Sequence, residues 1–314
     1  MKPSAIPEVA ILLCTYNGQH YLSDQLDSVA AQTYSHWVMW VSDDGSQDNT
    51  LSILGEYRSK WSNGRLSIVH GAASGFVANF LSLTCRTEIQ AAYYAFCDQD
   101  DVWNADKLQR AVECLQAMPP DMPALYTSRT LLVDADNQPL GLSPSFHQSP
   151  CFIHALTQNV ASGNTMLFNH AACLLLREAG QAVPVVAHDW WLYLLVTGAG
   201  GKVFYDASPT LRYRQHSGNL VGMKTHWLTR LVRLRTLREV WQGTFRAGND
   251  RQLQALLRMR AKLTPQNQQI VTRFMAARER GFLPRLLGFW QVGIYREPLW
   301  SHFGLIAAAL FKKI

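Results

Sequence analysis

The sequence predicts an α/β chain in which a mainly parallel sheet, with helices between its strands, is followed by a purely helical region. Three observations predict it. Short apolar runs alternate with helix-period segments as far as residue 118, the pattern of repeated strand–helix crossovers. Three of these runs stop at polar, mostly acidic turns, as strands do where an open sheet offers a crevice at its carboxyl edge. Of the 29 Lys and Arg and the 23 Asp and Glu, 17 and 4 fall in residues 224–314, leaving 12 and 19 for residues 1–223. The chain therefore divides into an acidic α/β domain over 1–223 and a basic amphipathic helical region over 224–314.

Taken in order, Val9–Cys14 is an unbroken apolar run, read as a buried strand, and Thr15-Tyr16-Asn17-Gly18 is the turn that ends it. Leu22, Leu26 and Val29 then recur at helical spacing. Trp37–Val41 is a second strand running into Ser42-Asp43-Asp44-Gly45-Ser46-Gln47-Asp48-Asn49-Thr50, and Leu66–His70 is a third. Tyr93–Cys97 is the fourth, followed directly by Asp98-Gln99-Asp100-Asp101 and by a helix from near Asn104. Prolines 119, 120 and 123 break that helix and close the first half. Leu125–Ser128, Leu131–Val133 and, beyond a turn at Asp134–Asn137, Asn164–Phe168 predict a second half built on a mixed sheet. Leu140–Pro150, with Gly141, Pro144, Pro150 and three serines, reads as a mobile loop over the crevice. Past Gly222 the pattern is helical, broken at Gly243, at Pro265 and around Gly281–Pro284.

At 314 residues and 48% hydrophobic content the chain can bury a substantial core, which excludes a disordered scaffold. Its six cysteines show no Cys-x-x-Cys spacing, so buried reduced thiols are expected, in keeping with the cytosol and against structural zinc. No secretory leader opens the sequence, and Leu305–Phe311 is far short of the ~20 residues that span a bilayer. The expected location is cytoplasmic, peripheral on the inner face of the plasma membrane. In the tail, Arg230, Arg233, Arg235 and Arg238 alternate with Leu228, Leu231, Val232, Leu234 and Leu237, while Trp227, Trp241, Phe289, Trp290, Trp300 and Phe303 punctuate the helices. That composition suits an anionic membrane surface. The competing reading is a helical buttress packed on the α/β domain, its arginines forming the wet side. No nucleic-acid module accompanies the charge, so nucleic acid is not an expected partner.

Neither a glycine-rich dinucleotide fingerprint nor a phosphate-loop lysine is present. Hard carboxylate oxygens at the end of a buried strand, as in Asp98–Asp101, suit Mg²⁺ or Mn²⁺ bridged to a phosphate-bearing substrate. Taken alone the cluster reads equally as a solvated turn ahead of the next helix.

In combination these segments resemble the inverting glycosyltransferases of family 2, with the GT-A fold. The resemblance rests on Thr15-Tyr16-Asn17, on Asp43-Asp44-Gly45-Ser46 with Asp48 and Thr50, on Asp98 to Trp103, on Gly163-Asn164, on His188-Asp189-Trp190-Trp191 and on Tyr213-Arg214-Gln215-His216, spanning roughly residues 8–222 in the family's order. It implies a Rossmann-like nucleotide-binding half plus a mixed-sheet acceptor half, and transfer of a sugar from a nucleotide diphosphate donor with inversion. Asp-Gln-Asp-Asp-Val-Trp together with His-Asp-Trp-Trp is similar to bacterial rhamnosyltransferases of lipopolysaccharide, O-antigen and capsule assembly.

The resemblance assigns Asp189 as base, where the residues alone allow a helix N-cap, and leaves His188 as its support or a surface residue. Asp100 and His216 become the Mn²⁺ or Mg²⁺ ligands, with Asp101 a rival for the metal. Thr15, Tyr16, Asn17 and Asp44 hold the nucleobase, with Asp43 as rival to Asp44, and Asp98 takes the ribose or deoxyribose hydroxyl. Gly163, Asn164 and Trp103 fall in the sugar and acceptor pocket, with core packing an equal reading for Trp103, while Arg214 and Arg212 either add positive charge at the diphosphate or face solvent. The expected reaction moves L-rhamnose from dTDP-rhamnose onto a lipid-linked saccharide. A UDP-galactose or UDP-glucose enzyme and an inactive sugar-nucleotide-binding scaffold are the alternatives.

Overall fold

The computed structural model describes residues 7–62, 64–216, 244–298, 301–302 and 305–306. In chain order the elements are β1 (Val9–Thr15), α1 (Leu22–Ala30), β2 (Trp37–Asp43), α2 (Thr50–Lys60), β3 (Leu66–His70), α3 (Phe76–Thr84), β4 (Tyr93–Cys97), β5 (Val102–Trp103), α4 (Lys107–Leu115), β6 (Ala124–Ser128), β7 (Leu131–Val133), β8 (Pro139–Leu142), α5 (Phe152–Ala155), β9 (Leu167–Asn169), α6 (His170–Ala179), α7 (His188–Gly198), β10 (Lys202–Asp206) and β11 (Leu211–Arg214). Helices α8 (Thr244–Arg258), α9 (Pro265–Glu279) and α10 (Phe282–Val292) follow.

The main sheet has the order β10-β6-β9-β4-β1-β2-β3. Strands β1 to β4 pair in parallel because helices return the chain between them, and only β9 runs against its neighbours β4 and β6. Val9 to Leu13 and Tyr94 to Cys97 are almost wholly buried, covered on both faces as a central parallel sheet requires. The expected strand at Asn164–Phe168 divides: Gly163–Thr165 is a 3₁₀ turn and pairing begins at Leu167. A second sheet, in the order β5-β11-β7-β8, lies beside the acidic turn, so the 98–101 segment is held between two sheets.

The described part of the basic tail packs on the α/β domain. Leu253, Leu256, Met259, Leu263, Phe274, Phe289 and Val292 belong to the same apolar core as Leu12, Phe96, Phe168 and Trp191. The start of α9 clamps the end of α7. Thr264 caps α9 by accepting from Asn267 N, and Asn267 Nδ2 donates to the Thr197 and Gly198 carbonyls at 3.1 and 2.9 Å. Helices α8 to α10 thus share an apolar core with the described residues of the α/β domain. Arg230, Arg233, Arg235, Arg238, Trp227, Trp241, Trp300 and Phe303 lie outside the described residues.

A strap beyond α10 pins the loop that the sequence marks as mobile. Glu297 accepts from His147 N at 3.2 Å and Gln148 N at 3.4 Å through its two carboxylate oxygens. Its own backbone is paired with the Gln158 side chain, N to Oε1 at 2.8 Å and O to Nε2 at 2.6 Å. Two residues earlier Tyr295 stacks on His154 at 4.6 Å, and its carbonyl accepts from Thr157 Oγ1.

Candidate active site

Parallel pairing brings the carboxyl ends of β1, β2 and β4 side by side, with Thr15 opposite Asp43 and Leu13 opposite Cys97. Asp43 accepts four hydrogen bonds, from Thr15 Oγ1, Ser46 Oγ, Ser46 N and Gly45 N, which occupies the acceptor sites of a carboxylate. It therefore builds the turn. Among the described residues Asp44 accepts only from Ala73 N and Gly75 N, and it stays partly exposed, so of the two it keeps acceptor capacity for a base. Asn17 sits at φ 48°, a left-handed position that asparagine tolerates, and its side-chain oxygen accepts from Gln47 N. Gln99 brackets the backbone of Tyr16, accepting from its N–H at 2.9 Å and donating to its carbonyl at 3.0 Å, and so fixes the exposed Tyr16 ring at the rim. A side chain at Gly18 would collide with Gln99 Oε1 at 2.3 Å, so only glycine allows this closure. The single letter Gln99 gave no hint of this bracket in sequence.

The four residues of the acidic turn separate into different roles. The Asp98 carboxylate accepts no hydrogen bond among the described residues, and burial first, then Asp100 and Asp189, push it up to about 7. The charges of Asp100 and Asp189 therefore both reach Asp98. Asp100 Oδ2 lies 2.9 Å from His216 Nε2, each side chain retaining about a sixth of its exposure, 18% and 17%. Asp101 is fully buried, accepting from Asn164 Nδ2 at 2.6 Å and from Arg214 N at 3.3 Å. Burial raises its pKa well above the usual range. It is a strut, which removes it as a rival for the metal.

Asn164 and Arg214 take other places than the sequence suggests. Asn164 is 1% exposed, donating to Asp101 and accepting from Ser162 Oγ, so it holds the turn and does not line a sugar pocket. The Arg214 guanidinium is 2% exposed and donates to the Asp100 and Ala135 carbonyls and to Asp24 Oδ2. It anchors the acidic turn to α1 from behind. Trp103 is likewise core, with the Lys107 ammonium 3.7 Å over its ring. Lys107 went unremarked in the sequence. Burial lowers its pKa to about 8, while Cys97 and Asp101 act in the opposite direction.

Asp189 stands in the first turn of α7. Gly163 N donates to its Oδ2 at 2.9 Å and Trp190 N to its Oδ1 at 2.6 Å. Burial raises its pKa, and these N–H groups with the Asn159 side chain hold it back. The result is a carboxylate fixed in direction and more basic than a surface aspartate. Gly163 is placed by contact: a Cβ there would lie 3.0 Å from His188 Nε2 and 3.3 Å from Asp189 Cβ.

His188 is a core residue, correcting the surface alternative. Its ring stacks on Phe80 at 4.0 Å and meets Phe96 edge-on at 4.7 Å, and neither ring nitrogen has a hydrogen-bond partner. Burial pushes its pKa down to about 3. The depressed folded value means stability is complete above the unfolded pKa of about 6.5 and is lost as pH falls from there toward 3. The loss is on the order of 5 kcal/mol at most. In His188→Leu, denaturant melts at pH 4 and pH 7.5 should differ less than in wild type. An unchanged difference would place the acid sensitivity elsewhere.

Among the described residues no three His, Cys, Asp or Glu side chains close a metal site. The Asp100–His216 pair can supply one carboxylate oxygen and one imidazole nitrogen, and a divalent cation held there would complete its shell with diphosphate and water oxygens. That donor set fits Mn²⁺ or Mg²⁺.

A family model described as glycosyl transferase family 2 matches residues 10–177. The dTDP-rhamnosyl transferase RfbG of Shigella flexneri is 28% identical over 246 residues, covering 73% of this chain and 80% of RfbG. Among solved structures, S. aureus TarS 1-349 in complex with UDP-GlcNAc has a TM-score of 0.51 at 13% identity and covers 92% of this chain and 93% of its own. Mannosyltransferase PcManGT from Pyrobaculum calidifontis, in complex with GDP-Man and Mn²⁺, has a TM-score of 0.50 at 18% identity, over 99% and 86% of the two chains. At such identities the structural likeness shows the fold, which is GT-A.

Proposed function

The chain belongs to glycosyl transferase family 2, and from that premise we propose that it is a metal-dependent inverting glycosyltransferase. The reading is carried by one observation: Asp189, a directed carboxylate of raised pKa, acts on Asp98, which also feels the charge of Asp100, the partner of His216. Asp189 takes the proton from the acceptor hydroxyl at a carboxylate oxygen. The hydroxyl oxygen bonds to the anomeric carbon as the bond from that carbon to the diphosphate breaks on the opposite face. A divalent cation on Asp100 and His216 would relieve the charge of the departing diphosphate. Asp44 accepts the imide N–H of uracil or thymine, with Thr15, Tyr16 and Asn17 framing the base, and Asp98 binds the sugar hydroxyl of the nucleoside.

For the donor we favour dTDP-rhamnose. The support is the pairing of Asp98–Trp103 with His188–Trp191 in sequence and the likeness to RfbG, a dTDP-rhamnosyl transferase. The acceptor is a lipid-linked lipopolysaccharide, O-antigen or capsule saccharide, and the protein works at an anionic membrane surface; no described helix is long and apolar enough to cross one. The deciding experiment incubates the protein and Mn²⁺ with dTDP-rhamnose, UDP-galactose, UDP-glucose and GDP-mannose, reading slow donor hydrolysis and thermal stabilisation. A response confined to dTDP-rhamnose is expected. Response to a UDP-sugar alone replaces the donor, and silence with every donor favours the inactive scaffold.

A further inference from the structure

Helix α10 carries two opposed faces. Phe289 and Val292 enter the core, and buried Arg285 turns inward to donate to the Arg278 and Arg280 carbonyls. On the other side Leu283, Leu287 and Trp290 recur at i, i+4 and i+7 and are 65%, 59% and 80% exposed, with Phe282 beside them at 52%. Four large apolar side chains in one stripe, one a tryptophan four-fifths exposed, exceed the scattered apolar residues of an ordinary surface. Next to the stripe, a groove of about 720 Å³ between α9 and α10 is lined by Thr272, Arg273, Arg280, Trp290 and Gln291. Arg273 and Arg280 are exposed, and among the described residues neither is paired with a carboxylate. Residues 244–298 hold ten Lys and Arg against three Asp and Glu, and two of those acids, Asp250 and Glu297, already serve Arg278 and the 147–148 loop.

We propose that α10 seats the protein on an anionic phospholipid bilayer, with Phe282, Leu283, Leu287 and Trp290 entering the interface and Arg273 and Arg280 receiving lipid phosphates in the groove. This rests on the membrane-surface part of the preceding reading and is independent of donor and metal. The charge decides the occupant. A bilayer interface accepts aliphatic, indole and guanidinium groups at adjoining depths, whereas nucleic acid offers nothing to a leucine stripe. The faces of α10 divide the two roles expected of the tail, one side buttress and the other membrane contact.

The test uses the full chain and sedimentation with phosphatidylglycerol/phosphatidylcholine vesicles, with pure phosphatidylcholine as control. Wild type should bind the anionic vesicles and be released by salt. Leu287→Glu/Trp290→Glu and, separately, Arg273→Glu/Arg280→Glu should each weaken binding by roughly tenfold or more. Because all four residues are exposed, both variants should melt as wild type does and hydrolyse donor at the wild-type rate without vesicles. Binding that persists in both variants, or equal binding to neutral vesicles, overturns the proposal. So does a wild-type dimer in light scattering that the Leu287→Glu/Trp290→Glu variant dissolves, which would make the stripe a contact between copies. Loss of donor turnover with intact vesicle binding would instead count against the catalytic reading alone.

Discussion

Turnover of Asp189→Asn should fall by ~10² to 10⁴-fold, the range of a lost general base, while nucleoside diphosphate still stabilises the protein. The substitution preserves shape but not chemistry. Both Asp189 oxygens accept a backbone N–H, from Gly163 and from Trp190, and an amide offers only one acceptor oxygen to two donors. A modest loss of melting temperature, corresponding to ~1–3 kcal/mol, should accompany the kinetic effect. The two readouts separate base from strut: a merely structural Asp189 would lose stability and activity together and keep its pH–rate profile. Normal turnover by the Asn variant would move the base elsewhere. Asp101 does not offer a substitute, since it is buried and bonded to Asn164 Nδ2 and Arg214 N.

Asp100→Ala should abolish transfer to below ~1% of wild type and erase the difference in nucleoside diphosphate stabilisation between Mn²⁺ and chelator. The contact that motivates this is the 2.9 Å pairing of Asp100 Oδ2 with His216 Nε2, which loses its carboxylate. Because the Asp100 carbonyl, not its side chain, receives Arg214 Nε, the backbone anchor of the turn survives and folding should be little affected. Transfer by the variant at full rate in chelator would remove the metal from the mechanism. Loss of transfer with the Mn²⁺ effect intact would limit Asp100 to orienting the donor.

The long parallel strands were legible because burial on both faces writes an unbroken apolar run, as in Val9–Leu13 and Tyr93–Cys97. Of the second sheet only β7, Leu131–Val133, was. Strand β5 is two residues long and β8 is exposed throughout, so neither shows a period, and β11 carries two arginines in four residues. The acids of the site were legible as a set of carboxylates at strand ends. Their division of labour was not, because it depends on donors distant in sequence: Asn164 reaches Asp101 across 63 residues and Arg214 across 113. Adjacent letters in the acidic turn thus became an unpartnered carboxylate, a bracket for Tyr16, a histidine partner and a buried strut. His188 misled for a related reason. A histidine beside an aspartate at a helix start looks exposed, and only the packing of α3 and β4 supplies the phenylalanines that enclose it.

Glu297 fastens the backbone of residues 147 and 148, which precede it by about 150 positions. During synthesis that loop is made long before the residue that fixes it, at a ribosomal pace of ~5–20 residues per second. For several seconds after the sheet strands have emerged, the loop has no Glu297 to hold it, and Gln158 lacks the backbone with which it pairs. Asn159, the neighbour of Gln158, is among the groups that restrain the Asp189 carboxyl. The nascent chain therefore completes the strand ends that carry Thr15, Asp43 and Asp98 first and the surroundings of Asp189 last.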